Sequence, residues 1–399
     1  MKFNKWTLGL AAVGAVSMAS AVRADEAKLS QLNTAVANTV ISGYVDVAAQ
    51  YNAGSASTLA NAGLNGGAAK NSGGLSGSKI DSITVNSVTV TLDKALDESP
   101  WASGYHVDLN WGTDAIAGAG AGSPLRQGYV TVRTPVGNGI DWKVGLIDGI
   151  TGYEGNTGYS NPNYTRSLAY QINPASAAAV LGSYKVMDGV SVQAGVANRG
   201  TTFAGSPLTG NQVGAFQSST GLSSKDYIAA ISLTAPESWG WLKGSTLNAG
   251  TFQGFDNGAV NNYSVNATLS TPVTGLKFGV AWDAVQTLTA YPVGFPNAGK
   301  NLSVDGNVYG VYATYQATDK LSLNLRGEYV DSTDDAFLKA GGGNGKGEEL
   351  TATVQYDLWA NVVSRVEFRW DHTEAGKQFG ATGGNENAYL VALNLVYKF

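Results

Sequence analysis

Apolar and polar side chains alternate with a period of two along most of this sequence, and that rhythm commits the chain to β-strands. In Tyr105-His106-Val107-Asp108-Leu109-Asn110-Trp111 one face carries Tyr, Val, Leu and Trp and the other His, Asp and Asn. Tyr263 to Leu269, Leu321 to Arg326 and Leu350 to Tyr356 repeat the pattern. Successive strand side chains point to opposite faces, so each segment has one greasy and one wet side.

A soluble sandwich buries its greasy faces against each other, whereas a membrane barrel turns them to lipid and lines a watery bore with the rest. The connections separate the two. Tight turns at 135–139, 187–189, 272–275, 318–320 and 358–361 alternate with long polar segments at 52–79, 149–177, 200–223, 287–304, 332–347 and 374–385. Short turns on one side and longer loops on the other are the habit of outer-membrane barrels. Traced with that parity, the chain gives an all-β fold, a transmembrane antiparallel up-and-down β-barrel of about sixteen strands. The strands run from 40–51 to 386–399, and the third outer loop, 149–177, is the candidate to fold inward. Within that loop, Ser167 to Ile172 is the one stretch that could pass for a further strand.

Composition agrees. Charged residues make up 14% of the chain, against roughly 25% in soluble domains. No apolar run of the mature chain approaches the roughly 20 residues a helical span needs, so crossing a membrane requires a closed barrel. Trp101, Trp239, Trp241 and Trp359 fall in or beside the short turns, Trp142 opens a strand at that end, and Trp111, Trp282 and Trp370 lie toward the opposite ends. Two aromatic belts at the two membrane interfaces are the expectation.

Residues 1–24 are expected to be a signal peptide: Lys2 and Lys5 precede an uncharged stretch from Thr7 to Ala21, and Val22-Arg23-Ala24 offers a cleavage site. Residues 25–39 are then a periplasmic lead and 40–399 the barrel. Without Lys2, Lys5 and Arg23 there remain 22 basic and 30 acidic side chains, a net charge of −8. That balance argues against nucleic acid as a partner. Cysteine is absent, which excludes disulfides and thiolate metal sites.

The last strand, Tyr389 to Phe399, carries apolar residues at every second position through Tyr397 to the terminal Phe399. It resembles the C-terminal signal by which outer-membrane proteins are recognised by the barrel-assembly machinery. A second block, Gly128 to Gly139, continued by Lys143-Val144-Gly145, Gly152-Tyr153-Glu154 and Asn163 to Ser167, resembles the putative β-barrel porin-2 family, OmpL-like. The resemblance is specific over about 126–198 and general elsewhere. At Gly145-Leu146-Ile147 the chain departs from a Gly-Lys-Phe run of that family and lacks its basic charge. The resemblance implies an outer-membrane porin, with lipids and small hydrophilic solutes as partners and, by analogy with porin-type barrels, a homotrimer.

A bore of this strand number is wide enough for water and needs narrowing to be selective. In general porins the third outer loop sets the constriction; here that loop carries Tyr153, Glu154, Tyr164 and Arg166. Charges at every second strand position point into the bore, because facing lipid costs each about 2–4 kcal/mol. The candidate wall charges opposite the loop are Arg133, Lys143, Arg326, Glu328, Arg365, Glu367, Arg369 and Asp371, unless the last four only pair with one another to stiffen the wall.

No catalytic residue, metal site or cofactor is expected. The two histidines, His106 and His372, lie far apart in strand order. His106 beside Asp108 reads as a satisfied bore residue rather than half of a proton relay. Gly118 to Gly122 leads into no helix and makes no phosphate cradle. The expectation is thus a passive channel for small hydrophilic solutes or ions, the alternative being a structural or adhesive barrel with a plugged bore.

Overall fold

The computed structural model describes residues 38–53, 82–115, 123–198, 200–201, 212–214, 225–254, 260–290, 301–332, 345–374 and 385–399. The expected leader 1–24, the lead as far as residue 37 and the glycine-rich stretches 63–77, 118–122 and 341–344 lie outside them.

Strands follow one another as β1 (Val40–Ala53), β2 (Ser82–Lys94), β3 (Ser103–Trp111), β4 (Leu125–Thr134), β5 (Ile140–Asp148), β6 (Pro174–Met187) and β7 (Val190–Asn198). After the short β8 (Gly200–Thr201) and β9 (Gln212–Gly214) come β10 (Lys225–Thr234), β11 (Thr246–Gly254), β12 (Val260–Ser270) and β13 (Leu276–Ala290). The series ends with β14 (Asn301–Gln316), β15 (Leu321–Ser332), β16 (Gly345–Trp359), β17 (Val362–Thr373) and β18 (Asn387–Lys398).

Sixteen of these form an antiparallel, nearest-neighbour barrel: β7 pairs directly with β10, and β1 pairs with both β2 and β18. A sheet whose first and last strands bond each other has no edge, which is what hydrocarbon demands of a spanning sheet. The seam runs from Ala53↔Tyr389 to Tyr44↔Lys398. Gly43 and Phe399 exchange both main-chain hydrogen bonds beyond it, at 2.9 and 3.0 Å.

Alternation becomes the wall. On β15 to β18, Leu323, Leu325, Val354, Val366, Phe368, Val391 and Leu393 are exposed, while Asn324, Arg326, Thr353, Glu367 and Asn394 between them are buried. Trp101, Trp239, Trp241 and Trp359 are exposed at the short-turn end, and Trp282 and Trp370 lie toward the other, their indole N–H groups donating to Asn307 and Asn387 at 3.1 and 2.8 Å.

Three features differ from the sequence reading. The β13–β14 hairpin pairs as far as Ala290↔Asn301, so part of the expected loop 287–304 is strand. β6 begins at Pro174 rather than near 178, because β5 continues to pair with it through Asp148↔Ser176. Ser167 to Ile172 adds no strand: Leu168–Ile172 is a short helix, α1. Ser167 at its N-cap explains the turn, since its side chain accepts the Tyr170 N–H at 3.0 Å and so satisfies a donor the helix leaves open.

Two bulges redirect side chains. Between β1 and β2 the register passes from Asp46↔Ser87 to Val47↔Val85, and between β3 and β4 from Asp108↔Gln127 to Leu109↔Leu125. Asn86 and Arg126 are the extra residues, and an extra residue reverses the facing of everything beyond it. Both are buried among bore-facing polar groups instead of meeting lipid.

Candidate functional site

The segment after β5 runs from Gly149 to Asn173 along the polar side of the wall, and hydrogen bonds tie it to successive strands. Its start is held on β12: Gly152 N donates to Ser264 Oγ at 3.0 Å, and Asn266 Nδ2 donates to Gly152 O at 3.2 Å. Tyr153 stacks on Tyr312 of β14 with ring centroids 4.0 Å apart. The Tyr153 ring also requires glycine at 279 of β13, because a Cβ there would sit 2.2 Å from its hydroxyl oxygen. Its end is held where Asn173 Nδ2 donates to Asp283 at 2.8 Å and Asn262 Nδ2 to Ile172 O at 2.5 Å.

Between those ends lies a charged latch. Arg326 on β15 donates through Nη1 to Glu154 Oε1 and to the Thr165 carbonyl, each at 2.7 Å. Its Nε and Nη2 reach Glu349 of β16 at 3.0 and 3.1 Å. Arg369 on β17 donates to the Arg166 carbonyl at 2.6 Å and to Asp371 at 2.8 Å. The wall acids take the loop's N–H groups: Glu367 accepts from Tyr164 and Thr165, at 2.5 and 2.8 Å, and Glu328 accepts from Leu168 and from Ala169. Arg365 donates to Gln355 at 3.0 Å and to the carbonyls of Gly158 and Tyr159. Within the loop, Arg166 Nη1 donates to Gly155 O at 2.6 Å, its guanidinium lies 4.6 Å from the Tyr170 ring centroid, and Glu154 accepts from Ser167 N at 2.8 Å.

Arg326, Glu328, Arg365, Glu367 and Arg369 therefore do not stand across open water from the loop. They touch it, and Asp371 pairs with Arg369. Arg326 and Arg369 are 0% exposed, and an ion taken that far from water needs a near-complete set of partners. The carbonyls of Thr165 and Arg166 supply part of that set, beside the carboxylates of Glu154, Glu349 and Asp371. Glu349, which the sequence reading passed over, is buried at the centre of the latch. Its phase was legible, since it shares a face with Thr351 and Thr353 and alternates with Leu350.

The opposite stretch of wall, β3 to β7, is built differently. Arg126, brought in by its bulge, bridges Asp108 and, at 2.7 Å, Asp148. His106 lies 2.9 Å from Asp93 and 3.2 Å from Asp108 and stacks on Tyr129 at 5.1 Å. Lys143 places its ammonium 4.9 Å from the Tyr129 ring centroid. Arg133 sits at the short-turn end, bidentate to Asp141 at 2.6 and 2.8 Å and 3.2 Å from the Asp97 carbonyl. No group of three or more potential metal ligands occurs among the described residues. At the seam, Tyr397 and Phe399 lie half exposed on the apolar side of β18 and its end.

A single antiparallel sheet closed on itself, apolar outside and charged within, defines a membrane-spanning β-barrel of the porin class. The chain belongs to the putative beta-barrel porin-2 family, OmpL-like, whose model matches residues 38–399. Its place is the bacterial outer membrane. In fold it is similar to the outer membrane channel DcaP of Acinetobacter baumannii, with 14% identity, coverage of 90% of this chain and 97% of that one, and a TM-score of 0.58. An anion-selective porin from Comamonas acidovorans gives 10% identity, 90% and 99% coverage and a TM-score of 0.56. OmpT, an outer membrane protein of Vibrio cholerae, gives 13%, 90% and 97%, and 0.54. Identities this low speak for the fold alone. No curated protein matches the sequence.

Proposed function

We propose that this barrel is a passive channel for small hydrophilic solutes, narrowed by residues 149–173 folded into its bore. One observation carries the reading: bore-facing charges of β15 to β17 are hydrogen-bonded to the main chain of an outer loop. An arrangement that costs so much desolvation is expected where a loop must keep one position. Tyr153, Glu154, Tyr164 and Arg166 then shape the constriction, and the β3 to β7 wall with Lys143 faces the solute path. Permeation needs no catalytic group, and the histidine environments support a structural role for both.

In the same reading residues 1–24 are a leader removed on export, 25–39 a periplasmic lead, and Tyr397 and Phe399 the contact for the barrel-assembly machinery. A homotrimer is the proposed assembly. Purified protein in a planar bilayer should conduct in discrete steps, and deleting 155–172 should enlarge each step several-fold. A folded wild-type barrel that stays electrically silent sinks the channel and leaves a plugged structural barrel in its place.

A further inference from the structure

The geometry points to a second role for the inward loop: residues 158–165 form a strap across the inner side of the β1–β18 seam and hold the barrel shut. This role rests on the fold and holds whether or not the bore conducts. Bore-facing positions of a membrane barrel are polar as a rule, and those of β12, Asn262, Ser264, Asn266 and Thr268, obey it. β18 departs from it. Ala388, Leu390, Ala392 and Val396 face inward and are at most 2% exposed, while Val391, Leu393 and Leu395 alternate with them on the lipid side. A strand apolar on both faces is costly beside water unless something covers the inner one.

Two loop tyrosines cover it. Tyr164 joins Ala48 of β1 and Leu390 and Ala392 of β18 in one buried cluster. Tyr159 packs on a second, made of Tyr44 of β1, Val396 of β18 and Val363 of β17. Its ring meets that of Tyr44 edge to face with centroids 4.8 Å apart, a favoured aromatic geometry, and lies 5.6 Å from the Lys398 ammonium. Arg365 and Glu367 of β17 bind the main chain of the same segment at Gly158, Tyr159, Tyr164 and Thr165. The strap is thus pegged on one side of the seam and reaches over it to the other.

The seam is where such a device counts most. β1 and β18 are the first and last strands, and no turn or loop brings them together as one does for the other neighbours in the wall. Chain connectivity lowers the entropic cost of pairing for strands joined by a short connection, and here it gives no such help. An opened seam would also leave two rows of unpaired peptide groups in hydrocarbon. Apolar contacts made by one segment with both strands offset these costs in the closed state alone.

Hydrogen exchange followed by mass spectrometry on the full barrel in detergent tests the strap, because it reads local opening segment by segment. Tyr159→Ala combined with Tyr164→Ala should speed exchange of the β1 and β18 amides roughly ten-fold and leave the β13–β14 hairpin unchanged. Tyr153→Ala, at the mooring on β14, should loosen that hairpin and spare the seam. Since the chain has no cysteine, Ala49→Cys with Leu393→Cys, opposite one another across the seam, introduces a single possible disulfide. Its oxidation should return the seam of the tyrosine double variant to wild-type exchange. If the double variant does not fold, recovery of heat-modifiable gel mobility on adding this lock supports the strap, and failure in both backgrounds counts against it. Seam exchange that the double variant leaves unchanged, or that rises equally in β13 and β14, overturns the inference.

Discussion

The two halves of the bore use the same alphabet of charged residues to opposite ends. Along β15 to β17, Arg326, Glu328, Glu349, Glu367, Arg369 and Asp371 are spent on one another and on the loop, and each is buried. Along β3 to β7, Arg126 is paired with acids in the same way, while Lys143 has no acid within 4.0 Å among the described residues. Charge in the first half fixes a position, and in the second the Lys143 ammonium is committed to no acid among the described residues. Inward-facing charges thus do not amount to a selectivity filter until their partners are counted.

Substitutions can break this contrast. The largest effect is expected for Arg326→Leu, which strands Glu154 and Glu349 in a dry latch. Unpairing buried ions of this kind costs about 3–5 kcal/mol, to be read as a lowered urea midpoint in detergent together with noisier and larger current steps. Glu367→Gln removes the charge that accepts two loop N–H groups and the Thr353 hydroxyl. Hydrogen bonds to charged groups contribute about 1.5–3 kcal/mol each, so a loss within that range is expected, with the loop's proteolytic resistance reduced.

Gly279→Ala tests the loop's other mooring, because the new methyl carbon lands 2.2 Å from the Tyr153 hydroxyl oxygen. Overpacking of this sort costs about 1–3 kcal/mol. Tyr153→Phe in the same background should recover part of it, as judged by thermal unfolding. Smallest is Arg133→Ala, at the short-turn rim and paired, among the described residues, with Asp141 and a carbonyl. At most about 1 kcal/mol and an unchanged step conductance are expected; a large change in either would place this residue inside the selective region and blur the contrast.

Much of the wall was legible in the sequence, because a membrane barrel writes its geometry into every strand. The bounds of β4, β5 and β17 follow from alternation alone, as does the inward facing of Arg326, Glu367 and Arg369. What alternation cannot reveal is an interruption of itself. Counted from the exposed Val130 and Val132, Arg126 belongs on the lipid side, and only the bulge opposite Asp108 and Leu109 brings it into the bore. Contacts across the bore were hidden for another reason: Tyr153 meets Gly279, and Tyr164 meets Glu367, at separations that no local pattern records. Ser167 carried the one local clue to α1, a hydroxyl residue placed where a helix starts.

Much of the latch's grip falls on peptide groups. Glu328 and Glu367 hold N–H groups that every non-proline residue possesses, and Arg369 holds a carbonyl that every residue possesses. The side chains at 164, 168 and 169 can therefore change without removing these bonds, provided proline stays out of positions 164, 165, 168 and 169. The glutamates and arginines of the wall have no such latitude, so in divergent relatives these wall charges should outlast the loop side chains beside them.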